Sequence, residues 1–108
     1  MANMVMTVLE ARVPQERWDD LKAAFAQGPA KMPAPMVRMF LVQSATDPAQ
    51  WRAVAVWQSR EALSAYQQSV EAPGGVLFFR SVGAEPTLSL YEVWQAAEGP
   101  AAGSAAES

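Results

Sequence analysis

WRAVAVWQSREALSAYQQSV, from Trp51 to Val70, changes its period at Ser59. Before that point, Trp51 to Trp57 is rich in β-branched and aromatic residues and has no breaker, which predicts a strand. After it, Ser59 offers a hydroxyl to a free backbone N–H and Glu61 puts negative charge in the first turn, so a helix starts there. Ala62, Leu63, Tyr66 and Val70 then recur at the spacing of one buried helical face. A strand running straight into an amphipathic helix is the unit around which the other elements are placed.

Upstream, Thr46-Asp47-Pro48-Ala49 is a turn in which Asp47 can bond the backbone and Pro48 presets φ. It joins Trp51–Trp57 to a preceding strand, Met36 to Ser44 (MVRMFLVQS), as an antiparallel hairpin. Further back, Met4 to Val13 is nearly continuous apolar sequence, a first strand ended by Pro14. Pro14 suits a helix start, and Gln15, Glu16, Asp19 and Asp20 crowd the early turns with acceptors. Trp18, Leu21, Ala24 and Phe25 line one face as far as Gln27, and Gly28-Pro29 stops the helix. Ala30 to Pro35 is then an irregular connection because of its prolines.

Downstream, the second helix closes at Ala72-Pro73-Gly74-Gly75. Val76 to Arg80, VLFFR, fits either a short helix or a strand, and Thr87 to Trp94, TLSLYEVW, is the last strand. Residues 1–95 are expected to form the domain, and the small, polar stretch 96–108 a disordered tail.

The order β-α-β-β-α-β is the ferredoxin-like arrangement, an α+β fold with a four-stranded antiparallel sheet and its helices on one face. The other face of such a sheet is usually polar. Here parity puts Val5, Leu9, Ala11 and Val13 against Met4, Met6 and Val8 in the first strand. It puts Val37, Met39 and Leu41 against Met36, Phe40 and Val42 in the second. Trp51, Ala53, Ala55 and Trp57 oppose Val54 and Val56 in the third, and Leu88, Leu90 and Trp94 oppose Tyr91 and Val93 in the last. Both faces are apolar, so a homodimer through the open sheet face is expected.

Composition narrows the chemistry. At 108 residues, 51% of them hydrophobic, the chain is one small domain with more apolar surface than its interior can hide. A net charge of −3 and a pI near 4.8 give no footprint for nucleic acid or an anionic membrane. The absence of cysteine and histidine removes thiolate nucleophiles, the commonest general base and the usual transition-metal and haem ligands, so neither a metal nor a cofactor is expected. No apolar run is long enough to span a bilayer and no signal peptide is apparent, so a cytoplasmic location is expected.

Three candidate features remain. Tyr66, one turn after Leu63, can send its hydroxyl between helix and sheet to orient a ligand or give a proton, or it is a core aromatic with a backbone partner. Trp18, Trp51, Trp57 and Trp94 form either an aromatic wall or core filler. Arg38 and Arg52 interrupt strands; each can bind an anion, or pair with Glu10 or Glu92 across the sheet. Glu10 and Glu92 fall on the first and last strands, which are not expected to be neighbours, and are not proposed as an acid/base pair.

VWQSREALSAYQQS, Val56 to Ser69, and YEVW, Tyr91 to Trp94, resemble the strand-three exit and the closing strand of the antibiotic-biosynthesis monooxygenase family. The similarity extends over about Met4 to Gln95. It implies a dimeric α+β barrel with a small apolar cavity between helices and sheet in each subunit. It also implies a cofactor-independent oxygenase of a small aromatic substrate such as a phenol, quinol or polyketide, which supplies its own electrons to oxygen. Tyr66 would then orient or protonate the substrate, while Trp57, Phe40 and Thr7 shape the pocket. Haem-degrading members of the family use an asparagine, an aromatic and a histidine, where this chain has Ala11, Tyr66 and Val76, so haem is not expected. The alternative is a non-catalytic barrel that binds a small ligand or another protein.

Overall fold

Four runs of alternating apolar residues form the sheet. In a computed structural model that describes residues 3–102, β1 is Val5–Arg12, β2 Met36–Gln43, β3 Gln50–Trp57 and β4 Thr87–Glu92. All neighbours are antiparallel, in the order β2-β3-β1-β4. The fold is α+β and ferredoxin-like. Residues 103–108, the end of the expected tail, lie outside the described residues.

Ser59 caps α2 (Arg60–Ser69) as its position predicts, its Oγ accepting the Ala62 N–H at 3.1 Å. The first helix is entered more gradually. A 3-10 turn, Gln15–Arg17, follows Pro14, and α1 is Trp18–Ala26 with Leu21 fully buried. The undecided VLFFR segment belongs to a third helix, α3 (Gly74–Arg80). Pro73 supplies its first acceptor, the Leu77 N–H reaching Pro73 O at 3.1 Å, and helical spacing buries Phe79 completely.

Cross-strand register fixes the faces. Leu9 is opposite Ala53 and Leu88, and Thr7 opposite Ala55 and Leu90, so these side chains share the helix side. Met6, Val8, Phe40, Val42, Val54, Val56 and Tyr91 share the open side. Strand β2 departs from simple alternation. Met36 pairs with Trp57 but Arg38 pairs with Val56, which leaves Val37 as an extra residue in a bulge. The bulge brings Met36 onto the helix side with Met39 and Leu41, where unbroken parity sets it with Phe40.

The expectation that the first and last strands are apart is also corrected, since β1 and β4 are hydrogen-bonded neighbours. Glu10 lies opposite Thr87 and Glu92 opposite Val5, at the two ends of the ladder, so they are no carboxylate pair. Each meets an arginine instead: Arg52 reaches Glu10 at 2.6 Å and Arg60 reaches Glu92 at 3.4 Å.

The buried residues form two clusters. Leu9, Ala11, Val13, Leu21, Trp51, Phe79, Val82 and Ala84 fill one end, where Trp18 meets Trp51 edge-on at 5.9 Å. Val5, Trp57 and Leu63 fill the other, with Met36, Ala55 and Tyr66 packed against them. Among the described residues no helix is long and apolar enough to cross a membrane.

Candidate functional site

On the helix side of β3 the order is Trp51, Ala53, Ala55, Trp57: two indoles with two methyl groups between them. Each tryptophan belongs to one of the two buried clusters, and the alanines leave the sheet low in the middle. The helices bridge this low floor and enclose a cleft of about 500 Å³, on the scale of a small-molecule site. Its walls come from Phe25 of α1, the segment Gly28–Met36, Met39 of β2, Leu63 and Tyr66 of α2, and Pro73–Phe78 around α3.

Thr7, Trp57 and Tyr66 come together in the cleft, between Ala55 and the start of α3. Thr7 sits on β1 between Val5 of one cluster and Leu9 of the other, and is 7% exposed. Its Oγ1 accepts the Trp57 Nε1–H at 3.0 Å, which satisfies the buried indole. The Trp57 and Tyr66 rings lie 5.1 Å apart and are inclined at 32°. Tyr66 Oη in turn accepts the Gly74 N–H at 3.0 Å. Both hydroxyls are therefore acceptors toward the protein, and neither donates to another described residue. Their two hydrogens are free for an oxygen atom of a ligand.

The expectation for Phe40 is not met. It is opposite Val54 on the open face and is 44% exposed, while its neighbour Met39, with Met36, is the part of β2 that lines the cleft. The alternation of β2 does not say which parity faces the helices, and the bulge at Val37 reverses the relation between the strand's first residue and the rest. Arg38 and Arg52 are on the open face as well, with Val56 and Glu10 as their partners across the sheet.

Several lining residues had no signal in the motif reading. Met32, Met36 and Met39 make one wall, and thioether side chains can adapt to differently shaped ligands. Lys31 lines the same wall. Gly74 meets Tyr66, although the Pro-Gly-Gly run gave only the helix end. The one sequence pattern that points to the cleft is Trp-x-Ala-x-Ala-x-Trp in β3, because period-two alternation puts its small residues between its large ones.

Among the described residues no carboxylate is on the lining, and no three acidic groups converge. The lining also does not fit a haem. It has no imidazole or thiolate, Val76 stands on the wall, and the Tyr66 oxygen already holds Gly74. Outside the cleft, the guanidinium of Arg12 hydrogen-bonds Asp47 and holds its carboxyl below the usual range, as Arg80 does for Glu85.

A four-stranded antiparallel sheet with helices on one face and an apolar cleft beneath them defines a ferredoxin-like α+β domain. The family model for antibiotic biosynthesis monooxygenase matches residues 4–73, and the chain belongs to that family. Solved structures with the same fold include the haem-degrading protein of Mycobacterium tuberculosis, 20% identical, with a TM-score of 0.68 over 92% of this chain and 100% of the other. A mutant of SnoaB, a cofactor-independent oxygenase from Streptomyces nogalater, is 19% identical, with a TM-score of 0.67 over 91% and 100%. A third, an antibiotic biosynthesis monooxygenase homologue from Chloroflexus aurantiacus, is 20% identical with a TM-score of 0.63 over 88% and 97%. No curated protein matches the chain.

Proposed function

We propose that the cleft binds a small phenol, quinol or related aromatic ketone, and that the protein is a cofactor-independent oxygenase of that substrate. The observation that carries the reading is the pair of uncommitted hydroxyl hydrogens, on Thr7 and Tyr66, in an otherwise apolar cleft. A substrate oxygen that accepts a hydrogen bond from either hydroxyl is favoured in its phenolate or enolate form in this apolar site, its proton passing to solvent. That electron-rich form can pass electrons to molecular oxygen, so the substrate itself supplies the reducing power. Trp57 holds Thr7 in place and offers the ring face beside Tyr66. Family membership and the described oxygenase fold-relative support this reading.

The second reading, a barrel that binds such a ligand without turning it over, is favoured by the lack, among the described lining residues, of any carboxylate or imidazole that could take a proton. Oxygen uptake separates the two. With a panel of quinols in chelator-treated buffer, the oxygenase reading expects uptake above the uncatalysed rate that falls in Tyr66→Phe. Quinol binding with no uptake leaves the ligand-binding reading.

We also propose that the protein is a homodimer through the open sheet face. Val37, Phe40, Val42 and Tyr91 on or beside that face are each 43–55% exposed, an apolar area a monomer would leave in water.

A further inference from the structure

Five of the eight basic side chains are paired with carboxylates, and Lys22, Lys31 and Arg38 have no such partner among the described residues. Arg12, Arg17, Arg52, Arg60 and Arg80 each contact a carboxylate within 3.4 Å. Lys31 contacts none among the described residues, and among them it is also the only lysine, arginine, aspartate or glutamate on the cleft lining. In a chain of net charge −3, the charged residue on the described cleft lining is a cation, exposed to solvent.

The segment that carries Lys31 is anchored to the sheet. Lys31 closes a 3-10 turn, Gly28–Lys31, between Pro29 and Pro33. A Cβ on Gly28 would meet the mobile methyl end of Met39, so the bare glycine lets this turn lie against β2 without displacing that thioether. Beyond the turn, Met36 N–H bonds Pro33 O and Gln58 N–H bonds Pro35 O, both at 3.0 Å, and fasten the segment to the sheet. Proline restricts φ and shrinks the range of backbone motion. The ammonium group is thus carried by an anchored turn while its own stem stays exposed to solvent.

We propose that Lys31 makes the cleft selective for an apolar, ring-bearing carboxylate, with the carboxylate at the Lys31 ammonium and the ring over Ala53 and Ala55. This rests on the cleft being a ligand site, and adds the class of ligand and the residue that selects it. A neutral ligand of the same shape keeps the apolar contacts and forfeits the ion pair.

The test is calorimetric titration of the full chain and of Lys31→Gln with 2-naphthoic acid and with 2-naphthamide, its neutral counterpart, at neutral pH and low salt. The expected result is that the acid binds the parent about three- to fivefold more tightly than the amide, the range of an ion pair with solvent access. Lys31→Gln should abolish that preference and leave amide affinity unchanged, and added salt should shrink it in the parent alone. Equal affinities in the parent, or an acid preference that survives Lys31→Gln, overturns the assignment. Amide binding without acid preference removes Lys31 and keeps the cleft. No binding of either compound removes the cleft as the ligand site, and this inference with it.

Discussion

Tyr66 and Thr7 do different work although both present a hydroxyl to the cleft. Tyr66 Oη serves Gly74, an exposed residue whose N–H can turn to water, so Tyr66→Phe should cost no more than about 1 kcal/mol of stability. Phenol affinity should fall roughly five- to tenfold, because a donor in an apolar site is lost. Thr7 is the acceptor for a buried indole, so Thr7→Val strands the Trp57 N–H and should cost about 1–3 kcal/mol in a denaturant titration. Equal stability losses in the two variants would contradict this division. Helical spacing turns Tyr66 inward, whereas Trp57 and Phe40 enter the pocket expectation through the family resemblance alone, and of these two only Trp57 lies on the cleft lining. A strand with apolar residues on both parities carries no mark of which set faces the helices, and the bulge at Val37 leaves no trace in MVRMFLVQS.

Elements with two independent local signals could be read from the chain, and those with one could not. β3 and α2 are set by a change of period at a capping serine, and the cap itself is worth testing. Ser59→Ala removes the acceptor for the Ala62 N–H and should lower stability by about 1 kcal/mol in thermal unfolding, with Ser59→Thr close to the parent. VLFFR is too short to show a period, and became helical because Phe79 could then be buried. The segment Gly28–Pro35 reads as irregular from its prolines, but they do not say that it returns to the sheet as a cleft wall. Gly28→Ala probes that approach. The added methyl must displace the mobile end of Met39, a change that should cost under about 1 kcal/mol because thioethers repack easily. It should nevertheless weaken ligand binding, since Met39 lines the cleft. At the β2–β3 turn, Asp47 is held below its ordinary pKa by Arg12, so their attraction is present above the usual carboxylate range and is lost as pH falls through the lowered value. Asp47→Asn should therefore flatten the acid side of the stability profile slightly, and less so in high salt, because the pair is exposed.

On the scale of the molecule, the sheet separates two apolar regions with different proposed occupants: a ligand on the helix side and a second copy on the other. The two-sided apolar strands carry the expectation of a second copy, because period-two alternation without polarity leaves no solvent face. Sedimentation equilibrium at micromolar concentration should give a dimer. Val54→Glu, which puts a charge at the middle of the open face, should give a folded monomer; a parent protein that is itself monomeric would refute the assembly. The methionines report on both sides at once, since Met32, Met36 and Met39 line the cleft whereas Met4 and Met6 do not. The most direct measurement is a titration of methyl-labelled methionine protein with 1-naphthol, followed by NMR. Saturable shifts of the Met32, Met36 and Met39 methyls at one ligand per chain, with Met4 and Met6 unmoved, are predicted; shifts confined to Met4 and Met6, or none at saturating naphthol, would contradict the cleft as the site.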